Sequence, residues 1–127
     1  MHLERYEGFR ITYLPVDEQG IVSPDALAAA ITDQTTLVSI MTANNETGVL
    51  QPVGALSEIC RAHDVLFHSD AVQSFGKVHL DSSRHDALSI AAHKFYGPKG
   101  AGVLYLGGGI TIAPTQHAST GAGAASG

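Results

Sequence analysis

Three polar clusters hold the residues able to do chemistry in this sequence. They are Asn44-Asn45-Glu46-Thr47-Gly48, then His68-Ser69-Asp70-Ala71-Val72-Gln73, then His93-Lys94-Phe95-Tyr96-Gly97-Pro98-Lys99-Gly100. Lys94 is the most telling member. It follows the apolar run Ala87 to Ala92 and precedes a second apolar run, Ala101 to Leu106. Desolvation at the mouth of a buried strand disfavours the ammonium form. A lysine pushed toward the neutral amine becomes a nucleophile that condenses with carbonyls. A lone lysine is more often a solvated loop residue; the other two clusters weigh against that reading here.

The elements that must position these clusters can be read from patterning. Arg10 to Pro15 alternates and is rich in strand formers, which predicts a strand. Asp17-Glu18-Gln19-Gly20 is a turn signal. Ser23-Pro24-Asp25 reads as an N-cap, a first helical residue and a first-turn acid, with Leu27, Ala30 and Ile31 as the apolar face. Thr36 to Met41 is a second strand, apolar enough for burial on both faces. Pro52 opens a second helix, with Val53, Leu56, Ile59 and Cys60 on one side and Glu58, Arg61 and His63 elsewhere. Val65 to His68 is a third strand, and two more flank Lys94.

This alternation predicts an α/β fold, layered α/β/α around a mainly parallel sheet. Such sheets place ligands outside the carboxyl ends of their strands. All three clusters follow strand C-termini, so they converge on one rim. Residues 1–109 form the ordered part in this reading. The stretch 110–127, rich in Gly, Ala and Ser, is expected to be a flexible tail.

Composition narrows the function classes. The chain has 127 residues, 44% hydrophobic and 15% charged, which suits one globular unit with a real core. A formal net charge of -5 and no cluster of Lys or Arg argue against nucleic acid as a partner. No apolar run approaches a membrane span. The start of the chain, Met1 to Glu7, lacks the basic-then-apolar order of a signal peptide, so a cytoplasmic location is expected. Cys60 is the single cysteine, which excludes an internal disulfide or a cysteine-based zinc site and fits a reducing compartment. No histidine spacing suggests a metal site. Cys60 reads as a small core residue. His68 reads as packing or bonding locally, and His63, His79, His85 and His117 as surface residues.

A lysine that forms a Schiff base, with an aspartate near it in space, is the protein half of pyridoxal phosphate chemistry. Asp70 closes a strand and can supply the charge that keeps a pyridine nitrogen protonated. Gln73 can donate to the cofactor's phenolic oxygen, and Asn45 can do similar work from the neighbouring strand end. His93 and the small Ala91-Ala92 pair would let backbone approach a phosphate. The rival readings are a strand-end cap for Asp70 and loop hydrogen bonding for Gln73 and Asn45.

The three clusters, in this order, resemble the cysteine desulfurase and selenocysteine lyase family, within the class V aminotransferase-like, fold-type I pyridoxal phosphate enzymes. The similarity runs from about residue 8 to about residue 109. It implies that Lys94 holds pyridoxal 5'-phosphate covalently, that Asp70 pairs with the pyridinium, and that Gln73 donates to the phenolic oxygen. It implies a cofactor contact for Asn45 and phosphate contacts for Ala91 and His93. The family usually has Ser-Gly-His before the lysine; here Ala91-Ala92-His93 removes a hydroxyl donor. The implied substrate is L-cysteine, with sulfur passed through a cysteine persulfide to an acceptor or iron–sulfur scaffold protein, and the implied assembly is a homodimer.

Family members are several times longer, so the resemblance implies an internal piece of the large domain. The upstream phosphate loop and ring-stacking histidine have no counterpart here, nor do the downstream carboxylate-binding arginine, small domain and cysteine loop. Cys60 does not match the sulfur-accepting cysteine. Two alternatives stand beside a desulfurase: a selenocysteine lyase, and an α/β remnant without activity. A nucleotide-binding domain of similar topology lacks any Gly-x-Gly-x-x-Gly after a strand.

Overall fold

The computed structural model describes residues 8–98 and 100–112. Helix α1 (Pro24–Ala30) begins where Ser23 Oγ accepts from the Ala26 amide, with Pro24 in the first turn, Asp25 beside it and Leu27 buried. Strand β1 (Leu37–Met41) follows, then helix α2 (Val53–Ala62), whose last turn carries Arg61. Strand β2 (Leu66–Asp70), a short 3-10 helix (Ser82–Arg84) and strand β3 (Ala87–Ala91) come next. A second 3-10 helix (Ala92–Phe95) leads to strand β4 (Gly102–Leu106). The strands lie in the order β1-β2-β3-β4, with the first three parallel and β4 antiparallel to β3.

Both helices pack on one face of the sheet. The core joins Val22, Leu27, Leu56 and Cys60 to Val38, Ile40, Val65 and Phe67. Val38, Ile40, Phe67 and Ser69 are alternate residues of β1 and β2, as the period of a strand requires. Gln51 ties the loop before α1 to this core: its Oε1 accepts from the Val22 amide at 2.8 Å, and its Nε2 donates to the Gly20 carbonyl at 2.7 Å. Asp86 secures the start of β3, since its Oδ2 accepts from the Phe67 amide at 2.7 Å and its own amide donates to the Phe67 carbonyl at 2.9 Å.

Three sequence expectations change. Arg10 to Pro15 is not a strand; only the isolated bridge Val16–Val22 forms there. Pro15 has no amide to donate, and the bridge is closed by Asp17, whose Oδ1 accepts from the Gln19 and Ile21 amides at 2.9 Å each. Strand β1 is not buried on both faces. Its burial alternates, and Leu37, Met41 and Leu66 are 50%, 41% and 45% exposed, because no described helix covers that side. His85 is not a surface residue. It is 4% exposed, stacks on Phe67 with ring centroids 5.6 Å apart, and shares a 3.0 Å hydrogen bond from Nδ1 to the Asp81 carbonyl. Of the tail expected over 110–127, residues from 113 onward lie outside the described residues, as does His117. Among the described residues, no helix is long and apolar enough to cross a membrane and no cluster of metal-binding side chains occurs.

Candidate active site

Parallel pairing of β1, β2 and β3 brings their carboxyl ends to one rim. Met41 is level with Asp70, and Asp70 is level with Ser89. Each strand then turns by a local device that presents polar side chains. After β1, Asn44 Oδ1 accepts from the Glu46 and Thr47 amides at 2.9 and 3.0 Å. The Asn44 amide donates to the Val49 carbonyl at 2.9 Å. Gly48 has φ +74°, a left-handed conformation that a side chain disfavours. This tight loop leaves Asn45 exposed at its tip.

After β2, Asp70 Oδ1 accepts from the Val72 amide at 2.9 Å. The next turn is anchored by Ala71, fully buried, whose carbonyl accepts from the Ser74 and Phe75 amides at 3.1 and 2.9 Å. Gln73 is half-buried on this turn. After β3, the chain makes the 3-10 turn that carries His93 and Lys94 and leaves it through Tyr96 in the left-handed region, φ +67°. The Gly97 amide donates to the Ala92 carbonyl at 2.9 Å. A Cβ on Gly97 would lie 2.8 Å from both the Ala92 Cβ and the Ala92 carbonyl oxygen, so this closure needs glycine.

The structure gathers Asn45, Asp70 and Gln73 around a single cleft of about 90 Å³, together with Met41, Ala43 and Val72. Ala91, His93 and Lys94 sit at the end of the neighbouring strand, on the same rim but outside the lining of that cleft. His93 and Lys94 are exposed and Ala91 is half-buried. Burial therefore does not desolvate Lys94 among the described residues, contrary to the position inferred from its apolar neighbours. Those neighbours belong to strand β3, which ends before the turn that holds Lys94, and to strand β4, which begins after it.

Sequence reasoning passed over a side-chain chain just below the rim. The His68 imidazole spans two serines: Nδ1 shares a hydrogen bond with Ser39 Oγ at 2.8 Å, and Nε2 shares one with Ser89 Oγ at 2.8 Å. The available signal was the two-residue spacing of His68 and Asp70, which puts both on one face of β2. On the covered face Ser69 Oγ, fully buried, donates to the Ile40 carbonyl at 2.7 Å and bonds Thr42 Oγ1 at 2.8 Å. Both faces thus lock β1 to β2 at the point where the site begins.

The aminotransferase class-V profile matches residues 1–118. The chain belongs to the class-V aminotransferase family. Within this class-V family it is 50% identical over 113 residues to a cysteine desulfurase IscS of Clostridium botulinum, a match that covers 87% of this chain and 28% of that protein. A solved NifS-like protein superposes with a TM-score of 0.82 at 42% identity, over 90% of this chain and 32% of that one. A structure of SspA in complex with cysteine superposes with a TM-score of 0.76 at 42% identity, over 78% of this chain and 29% of that one. The chain therefore spans less than a third of the length of these class-V relatives. Its mainly parallel α/β sheet is the fold-type I architecture they share.

Proposed function

We propose that this chain supplies the cofactor-facing part of a pyridoxal phosphate-dependent cysteine desulfurase, which converts L-cysteine to L-alanine and hands the sulfur on for iron–sulfur cluster assembly. The observation that carries the reading is the single cleft shared by Asn45, Asp70 and Gln73 at the C-terminal rim, with Lys94 on the next strand end. The donor set fits the cofactor. The Asp70 carboxylate has one oxygen engaged by a backbone amide and can face a cationic ring nitrogen, and two primary amides beside it can donate to ring oxygens.

Bound there, pyridoxal phosphate would act as an electron sink for bonds at the substrate α-carbon. Asp70 would hold the proton on the ring nitrogen by charge. Gln73 and Asn45 would orient the ring through their amide N–H groups, and Ala91 and His93 would lie toward the phosphate. Lys94 Nζ would anchor the cofactor, give way to the substrate amine, and then move a proton at the α-carbon. A cysteine thiolate would attack the substrate sulfur, the carbon–sulfur bond would break, and a persulfide and alanine would result. Cys60 is not that thiolate: it is fully buried in α2, and burial, with Asp86 adding to it, pushes the thiol up to about 11. The thiolate, a sulfur-acceptor protein and a second copy forming a homodimer complete the proposal, with a cytoplasmic setting. A selenocysteine lyase would run the analogous step on selenium.

A second reading is an α/β module that folds without turnover; the exposure of Lys94 and the burial of Cys60 favour it for the 127 residues alone. Mixing the chain with pyridoxal phosphate should give the absorbance band of a lysine-bound cofactor, and Lys94→Ala should abolish it. A band that survives this substitution removes Lys94 from its role. Alanine released from L-cysteine by the chain would eliminate the second reading.

A further inference from the structure

The Ser39–His68–Ser89 chain crosses three parallel strands on the uncovered face of the sheet. Each of these strands leads into one of the three rim clusters. Register fixes the geometry: Ser39 is level with His68, and Ser89 is level with Asp70. A neutral imidazole has one N–H donor and one lone-pair acceptor, and a serine hydroxyl can take either part. The neutral ring is therefore fully satisfied between the two serines. His68 also shares its strand face with Asp70, two residues nearer the rim.

We propose that His68 is a positioning residue: it pins in one register the three strand ends that lead to Asn45, Asp70 and Lys94, and it stays uncharged below Asp70, leaving that carboxylate's whole charge to the ring nitrogen of a bound aromatic cofactor. This rests on the pyridoxal phosphate reading above. Burial lowers the imidazole's pKa from its ordinary value; Asp70 pulls it upward, and His85 adds to the lowering. The strands packed on either side add no charge on this face, since β1 is Leu-Val-Ser-Ile-Met and β3 is Ala-Leu-Ser-Ile-Ala. A cationic His68 would compete with the ring nitrogen for the Asp70 carboxylate. Cofactor affinity should therefore fall as pH drops through the His68 midpoint.

Two measurements on the full 127-residue chain test this. The first follows the His68 ring signals by NMR across pH without cofactor. Asp70→Asn should move the midpoint down, because the carboxylate favours the imidazolium; an unmoved midpoint overturns the coupling. The second titrates pyridoxal phosphate by absorbance above and below that midpoint. Wild type should lose affinity several-fold on the acid side. His68→Gln keeps a donor and an acceptor but cannot charge, so it should retain the alkaline affinity and lose the acid step. Other titrations are common to both proteins, so an equal acid step in His68→Gln overturns the proposal. If wild type shows no cofactor band at all, the cofactor reading fails, while the NMR midpoints still decide whether His68 and Asp70 are coupled.

Discussion

His68 Nε2 lies 2.8 Å from Ser89 Oγ, so β2 and β3 are joined by side chains as well as by backbone at the level where the candidate site begins. A neutral hydrogen bond of this kind contributes about 1 kcal/mol net. Ser89→Ala should lower unfolding stability by about 0.5–1.5 kcal/mol. Urea denaturation of Ser89→Ala, His68→Ala and the double variant would give the pairwise coupling. Additive losses would mean that the contact contributes nothing to stability.

The same imidazole gives stability a pH dependence of fixed sign. Its folded pKa lies below the ordinary 6.5, so the unfolded chain binds the extra proton first. Stability from this group is fully present above 6.5 and declines as pH falls through the lowered folded value. Asp81 acts in a separate, more acidic window. Hydrogen bonds from the Ser83 hydroxyl and amide, and then from Arg84, hold its carboxyl below 3.8, so its contribution is present above that value and lost below it. Denaturation midpoints at stepped pH should show the upper decline in wild type and flatten it in His68→Gln. A decline of equal size in both would assign it to another group.

Cys60 should resist modification in the folded chain. It is fully buried and its thiol is raised to about 11, while reactivity follows the thiolate fraction. Labelling by a disulfide reagent at neutral pH should run about 100-fold or more slower than in denaturant. Similar rates in the two conditions would show that α2 does not shield it.

Gly97 closes the turn that presents Lys94. Its missing side chain is required by the 2.8 Å approach to Ala92. Gly97→Ala should cost about 1–3 kcal/mol by overpacking and loosen the lysine turn. Limited proteolysis should then cut between Ala92 and Gly102 sooner than in wild type, with the β1–β2 half unaffected. Unchanged cleavage would mean that the turn adapts.

Much of this was legible in the residues. Ser23-Pro24 and Pro52 marked helix starts because capping and fixed φ are local effects. The apolar runs marked β1 to β4, and parallel alternation placed Asn45, Asp70 and Lys94 on one rim. What escaped depends on partners distant in sequence. Ser39 and Ser89 stand 29 and 21 residues from His68, so no local pattern links them. His85 reads as a surface residue until the Ser82–Arg84 turn tucks it against Phe67. The exposure of one sheet face, and of Lys94, depends on which layers surround the sheet, and strand patterning does not carry that information.

The antiparallel pairing of β4 with β3 bears on how the molecule assembles. These two strands are joined through residues 92–101, whereas β1 and β2 are joined through residues 42–65, which include α2. Closing a short loop costs less chain entropy than closing a long one, and local contacts form faster. The β3–β4 pair that carries Lys94 should therefore be kinetically first, with the strand that carries Asp70 docking onto it afterwards. Pulse-labelled hydrogen exchange during refolding would then protect Ile90 and Val103 ahead of Val38 and Phe67.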